Sequence, residues 1–219
     1  SDLIILDDEH NWLKKVYIQS EKSAEKFWNK LDELPDIDHE VPAEARTALE
    51  ATFPAKDLAY RIKRRQSGMG SLGRPRYTAL AEWQGERIAR ETKPLIPSAA
   101  LWAEKKHKGA EIYYEEILAR AVRSLDPVVK VYSGWVMRRL APDCMRIELA
   151  ELGPERDEKR MLRAMGWESG NIHLGTPTMV KAVLEDLKNR KKDWLKKAAE
   201  KMTEATLKDW EKWKEVSRE

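Results

Sequence analysis

The chain has 219 residues, 42% apolar and 36% charged, which suits a folded globular protein with a heavily solvated surface and excludes a disordered chain. Its 41 basic and 38 acidic residues leave a net charge of only +3, so the signs are interspersed and a generic nucleic-acid binder is disfavoured. The lone cysteine, Cys144, excludes a disulfide framework and a multi-cysteine metal site; no apolar run approaches the ~20 residues that cross a bilayer, and we expect a cytoplasmic protein.

The opening residues, Ser1 and an abrupt apolar Leu3 to Leu6, read as the start of a processed or truncated piece. Asp7 and Asp8 suit a helix N-cap, and Leu13, Val16, Tyr17, Ala24, Phe27, Trp28 and Leu31 recur at helical spacing, predicting a long amphipathic helix that ends near Pro35. Pro42 suits the first turn of a second, short helix running to about Phe53. From Asp57 the period changes to two. "DLAYRIKRRQ", "RYTALAEW" and "ERIARETK" predict three strands, with Gln84-Gly85 as a two-residue hairpin turn between the last two.

Residues 98 to 125 read as a helix, most clearly in "AEIYYEEILARAVRSL", stopped by Asp126-Pro127. "VVKVYSGWVMRRLAP" predicts two more strands about a turn at Gly134. Thereafter we expect a helix over residues 154 to 165, a glycine-containing link "GWESGNIHLGTP", and a long helical stretch from residue 177 to about 215. The predicted fold is α+β: a small antiparallel sheet with a crossing helix, resembling a kinase N-lobe, flanked by N- and C-terminal helical segments. The expected divisions are residues 1–57, 58–142 and 143–219.

The loop between the first two strands, "RRQSGMGSLGRPRY", carries Gly68, Gly70 and Gly73 at Gly-x-Gly-x-x-Gly spacing. A dinucleotide fingerprint requires a helix after the loop, and Pro75 with an alternating run argues for a strand instead. A Walker A loop requires Lys and Ser or Thr after its last glycine, where this chain has Arg74-Pro75. The kinase type joins two antiparallel strands, covers phosphates with backbone N–H groups, and uses a lysine on the third strand oriented by a helix carboxylate. Lys93 and Glu111, with Glu115 and Glu116 nearby, are the candidates for that pair. On pattern alone the same glycines suit a plain hairpin better, because glycine tolerates positive φ.

Other groups carry less chemistry. Asn171 and His173 in "GNIHLG" are candidate pocket residues that equally suit a hydrogen-bonded loop, and His10, His39, His107 and His173 lack the spacing of a zinc site. Ser71 lacks the flanking pattern of a hydrolase nucleophile. The basic runs "RIKRRQ" and "KNRKK" suit a solvated strand edge and a helix C-terminus better than nucleic acid. Arg138 and Arg139 end a strand that would sit beside the glycine loop of a kinase-like lobe; they suit a surface pair, and the alternative is that one of them faces the cleft.

"SGMGSLGRPRY", "ETKPLIPSA", "MRRLAP", "MLRAMGWESGNIHLGTP" and "DWLKKAAE", in that order, resemble the bacterial family called domain of unknown function 2252, from about Tyr60 to Trp213. The resemblance implies a kinase-like phosphotransferase whose fuller members carry His-Gly-Asp and Asp-rich segments upstream of the glycine loop, an order that resembles a permuted kinase. Lys93 falls at the family's Lys-Glu-Ala lysine, with Pro94-Leu95 replacing Glu-Ala. This chain has no His-x-Asp with a nearby Asn and no Asp-Phe-Gly. The expectation is therefore the nucleotide-binding portion of such an enzyme, with ATP and Mg2+ as cofactors. Gly68, Gly70, Ser71 and Gly73 would cradle phosphate, Lys93 would pair with it, and Glu111 would orient Lys93. An upstream segment or a partner chain would supply the catalytic acids. The alternatives are a non-catalytic binding or scaffold module and, behind it, a nucleic-acid contact surface.

Overall fold

The computed structural model describes residues 21–68, 73–142, 144 and 158–217. Its contacts divide the chain into two units, Ser1–Gly175 and Thr176–Glu219. The first is built around a five-stranded antiparallel sheet: β1 (Tyr60–Arg64), β2 (Tyr77–Trp83), β3 (Glu86–Pro94), β4 (Lys130–Tyr132) and β5 (Trp135–Leu140), in the order β1-β2-β3-β5-β4. With helices on its flanks, the fold is α+β, as the sequence predicts.

Period-two alternation gives the sheet two apolar faces, and one helix packs on each. α1 (Glu21–Asp32) brings Phe27, Trp28 and Leu31 onto Leu80, Ala89 and Leu140. α2 (Ala43–Glu50) brings Ala45 and Leu49 onto Ile62, Tyr77 and Ala79, with Phe53 and Tyr60 closing the margin. Each fully buried Leu or Ile contributes about 1.5–3 kcal/mol relative to exposure, so these two patches hold both helices to the sheet. Helices from residues 21–57 and strands from residues 58–142 thus pack together in two clusters, one on each face of the sheet. The part of the first predicted helix before residue 21 lies outside the described residues.

The basic run of β1 is not simply a solvated edge. Lys63 is buried, and its ammonium donates to the carbonyls of Asp32 and Leu34 at 3.0 and 2.9 Å and pairs with Asp36 at 3.1 Å. It thereby satisfies the C-terminal end of α1 with a positive charge. The same segment covers the outer edge of β1, through Ile37 N–H to Ile62 O and Arg64 N–H to Pro35 O, both 3.1 Å. The β2–β3 hairpin turns at Gln84 and Gly85, with φ of 53° and 80°, the pair of positive values that a type I′ turn needs.

Three helical expectations change. The crossing helix predicted over residues 98–125 is two short pieces, α3 (Ala99–Ala103) and α4 (Tyr114–Arg120), neither with a buried residue. The polar run between them contains Lys105 and Gly109 at positive φ, which interrupts the helix where no apolar face holds it. α5 (Glu158–His173) instead runs straight through the predicted glycine link. Gly166 and Gly170 each cost about 1 kcal/mol there, less than the cooperative gain of an unbroken helix anchored by buried Met161 and Asn171. The expected helix start at residue 154 lies outside the described residues.

The second unit contains α6 (Pro177–Asn189) and α7 (Trp194–Val216), separated at residues 190–193 where one long stretch was expected. Arg190 makes that break: its guanidinium stacks on the Trp194 ring at 4.5 Å and pairs with Asp186. Among the described residues no helix is long and apolar enough to cross a membrane.

Candidate functional site

The glycine loop joins β1 to β2, as expected. The ladder ends at Arg64 opposite Tyr77 and continues one step through Arg65 N–H to Arg76 O at 3.0 Å, so these two arginines frame the mouth of the loop. Gly68, with φ of 71°, and Gly73 are described; Gly70 and Ser71 lie outside the described residues. Thr92 pairs with Tyr77, which sets Lys93 at the loop end of β3, on the face shared with Glu91.

Glu91 organises that face. Its carboxylate is completely buried and accepts from three arginines: Arg65 Nη1 at 2.6 Å, Arg76 Nη1 at 3.0 Å, and Arg138 Nε at 2.8 Å with Nη2 at 2.5 Å. The arginines come from three separate strands or their extensions, and antiparallel register brings them together: Glu91 pairs with Thr78 on β2 and with Arg138 on β5. Burial alone would push the Glu91 carboxyl up; Arg138 and Arg65 more than offset that and hold it below the ordinary carboxylate range.

Three guanidiniums therefore surround one carboxylate. Lys93 registers the imbalance. Burial lowers its pKa, repulsion from Arg76 and Arg138 lowers it further, and Glu91 opposes these only in part. Like charges held together in a partly buried place repel, and an added negative charge would lower that cost. Among the described residues, Lys93 has no hydrogen-bonded acceptor, and the arginines hold guanidinium N–H groups beyond those given to Glu91. Arg138, with 44% of its side chain exposed, opens the cluster to solvent.

The other candidates lie elsewhere. Glu111 is exposed, precedes α4, and accepts from the Tyr113 hydroxyl at 2.8 Å. The carboxylate that acts on Lys93 is that of Glu91. Glu115 and Glu116 are on α4, Glu116 paired with Arg120 at 2.7 Å. Arg139 points to the opposite face and pairs with Asp126 at 3.1 Å, leaving Arg138 as the member of that pair beside the loop. Asn171 is buried within α5, its carbonyl accepting Val122 N–H at 3.1 Å, and His173 is exposed at the helix end. Cys144 is exposed. Among the described residues no group of three or more His, Cys, Asp or Glu is placed to hold a metal.

A cleft of about 800 Å³ lies away from the glycine loop and is lined by Asp32, Tyr60, Arg61, Leu80, Glu82 and Arg87. Its charges answer each other: Arg87 bonds Asp32 at 2.7 Å and stacks on Trp28 at 4.7 Å, and Arg61 lies 3.6 Å from Asp32. Charge imbalance, not concavity, marks the loop end as the candidate site. The sequence singles out Lys93 and the loop, and does not single out Glu91, Arg65 and Arg76, which the structure gathers beside them. The alternation in "ERIARETK" was the available signal, since it sets Glu91 and Lys93 on one face. Comparisons with protein-family models, curated proteins and solved structures give no match to this chain.

Proposed function

We propose that the sheet lobe is the phosphate-holding half of a kinase-like nucleotide site, with Lys93 and the glycine loop engaging the phosphates of ATP. The observation that supports it is the gathering of Arg65, Arg76 and Arg138 on the one carboxylate of Glu91 at the loop mouth, beside Lys93. Glu91 takes the place beside the lysine that the sequence gives to Glu111. The lobe's contribution is electrostatic: it binds and orients a polyphosphate and lowers the energy of added negative charge.

Phosphate fits the donors present. Magnesium does not fit the described residues: no group of three or more His, Cys, Asp or Glu is placed to hold a metal, and the carboxylate at this site, Glu91, is taken up by arginines, so no step is assigned to it. On this reading the acids that position a nucleophile come from an upstream segment or a partner chain, as in the resembling bacterial family, and the protein works in the cytoplasm. A fluorescent ATP analogue titrated into the full chain tests it: saturable anisotropy is expected, weakened at least tenfold by Lys93→Ala. Equal binding by wild type and Lys93→Ala would remove the lysine from the site.

A second reading, a non-catalytic binding or scaffold module, is favoured by α6 and α7, neither of which has a buried residue. Leu184, Leu195, Met202 and Trp213 are each more than 60% exposed, an apolar surface suited to association. On that reading ATP leaves the anisotropy flat.

A further inference from the structure

We infer, resting on the phosphate reading of this site, that Arg65, Arg76 and Arg138 take a phosphate group directly through guanidinium N–H bonds, without a bridging divalent metal. Guanidinium donors form a planar fork that matches two phosphate oxygens at once, whereas an ammonium offers only a point charge. Here three forks converge on one point of the sheet. Arg65 extends β1, Arg76 precedes β2 and Arg138 lies on β5, and each places at least one N–H within 3.0 Å of the same buried carboxylate.

That convergence exceeds what Glu91 needs. Arg138 sets both its donors on one oxygen of Glu91, Oε1, which Arg76 shares, while Arg65 takes Oε2; a single guanidinium is enough to neutralise the charge of one carboxylate. The further two arginines and Lys93 add positive charge to a partly buried place, which a folded protein disfavours unless something negative shares it. Glu91 gathers the three guanidiniums that would otherwise splay apart, so little side-chain freedom remains to be lost when an anion arrives. The trio with Glu91 and Lys93 carries a net charge opposite to that of a phosphate dianion. Acids that would hold a bridging cation are not gathered among the described residues. The ligand class is a phosphate monoester or the end of a polyphosphate chain, bound as the free anion.

Isothermal titration calorimetry on the full chain, at low ionic strength, tests this with two probes in parallel: inorganic pyrophosphate in EDTA, and Mg-ATP. Saturable pyrophosphate binding in EDTA is expected, with affinity falling at least tenfold in Arg138→Lys and in Arg76→Lys, which keep the charge and lose the fork. Arg139→Lys, on the opposite face, should bind as wild type. Wild-type affinity in both Arg138→Lys and Arg76→Lys would overturn the inference. Binding of Mg-ATP without binding of pyrophosphate in EDTA would also overturn it while leaving the nucleotide reading standing. Pyrophosphate binding with no gain from Mg-ATP would support direct phosphate capture and remove the nucleotide reading. Silence from both probes would remove both.

Discussion

Arg138 lies directly across the β3–β5 ladder from Glu91 and closes on it with two donors, Nε at 2.8 Å and Nη2 at 2.5 Å, while the carboxylate is wholly buried. The carboxyl is held below its ordinary range in the folded protein. Its contribution to stability is therefore fully present above the unfolded value, near 4.3, and is lost as pH falls through the folded value. Urea unfolding from pH 7 down to pH 3 should show a steep acid loss in wild type. Glu91→Gln should cost about 3 kcal/mol at pH 7, by leaving buried guanidinium charge uncompensated, and flatten the acid limb. Parallel curves for the two proteins would show that Glu91 is not the titrating anchor.

Lys93 should behave in the opposite sense. Its pKa is lowered in the fold, so at neutral pH the folded state carries a proton it holds less well than the unfolded chain does. Stability should rise as pH climbs through the lowered value, and anion affinity should fall over the same window as the ammonium discharges. Lys93→Met, which keeps the apolar stem, should raise the urea midpoint slightly, by less than about 1 kcal/mol given partial exposure, and weaken phosphate binding. A variant that loses stability would place Lys93 among the structural contacts instead.

Gly175 is the tightest glycine described. A Cβ there would lie 2.8 Å from the carbonyl oxygen of Arg120, at the end of α4. Gly175→Ala should destabilise by about 1–3 kcal/mol, because backbone must move to admit the methyl. Gly170→Ala, in α5 with open space around its Cβ position, should instead stabilise by about 0.5–1 kcal/mol. Guanidinium unfolding of the two variants distinguishes them by sign.

Leu49 anchors α2 with no exposed surface. Leu49→Ala should cost about 2–5 kcal/mol, and the loss should appear in thermal melting without any change in salt dependence.

Much of the fold was legible because its signals are local. Period-two runs marked the first three strands, β-branched and aromatic residues marked the last two, and Gln84-Gly85 and Gly134 marked their turns. The helices outside the core were harder: Gly166 and Gly170 read as a link, yet α5 continues because buried Met161 and Asn171 fix both its parts. The single helix expected over residues 98–125 had no apolar face to hold its middle. In the site, Lys93 was reachable through the strand pattern and the glycines before it. The convergence of three arginines on Glu91 was not, because it depends on β3 pairing with β2 and β5, a register written in no local motif. Glu111 was chosen for its place on an expected helix, and it is Glu91, two residues from Lys93, that supplies the carboxylate.

The most direct test of phosphate binding at the loop mouth is thermal melting of the full chain with rising Mg-ATP, for wild type and Lys93→Ala. A ligand that binds only the folded state stabilises it by mass action, by about 2.7 kcal/mol at a hundredfold excess over Kd. The expected result is a midpoint that climbs with nucleotide in wild type and stays flat in Lys93→Ala. A wild-type midpoint that does not move at millimolar Mg-ATP would contradict the assignment of this lobe to nucleotide phosphates.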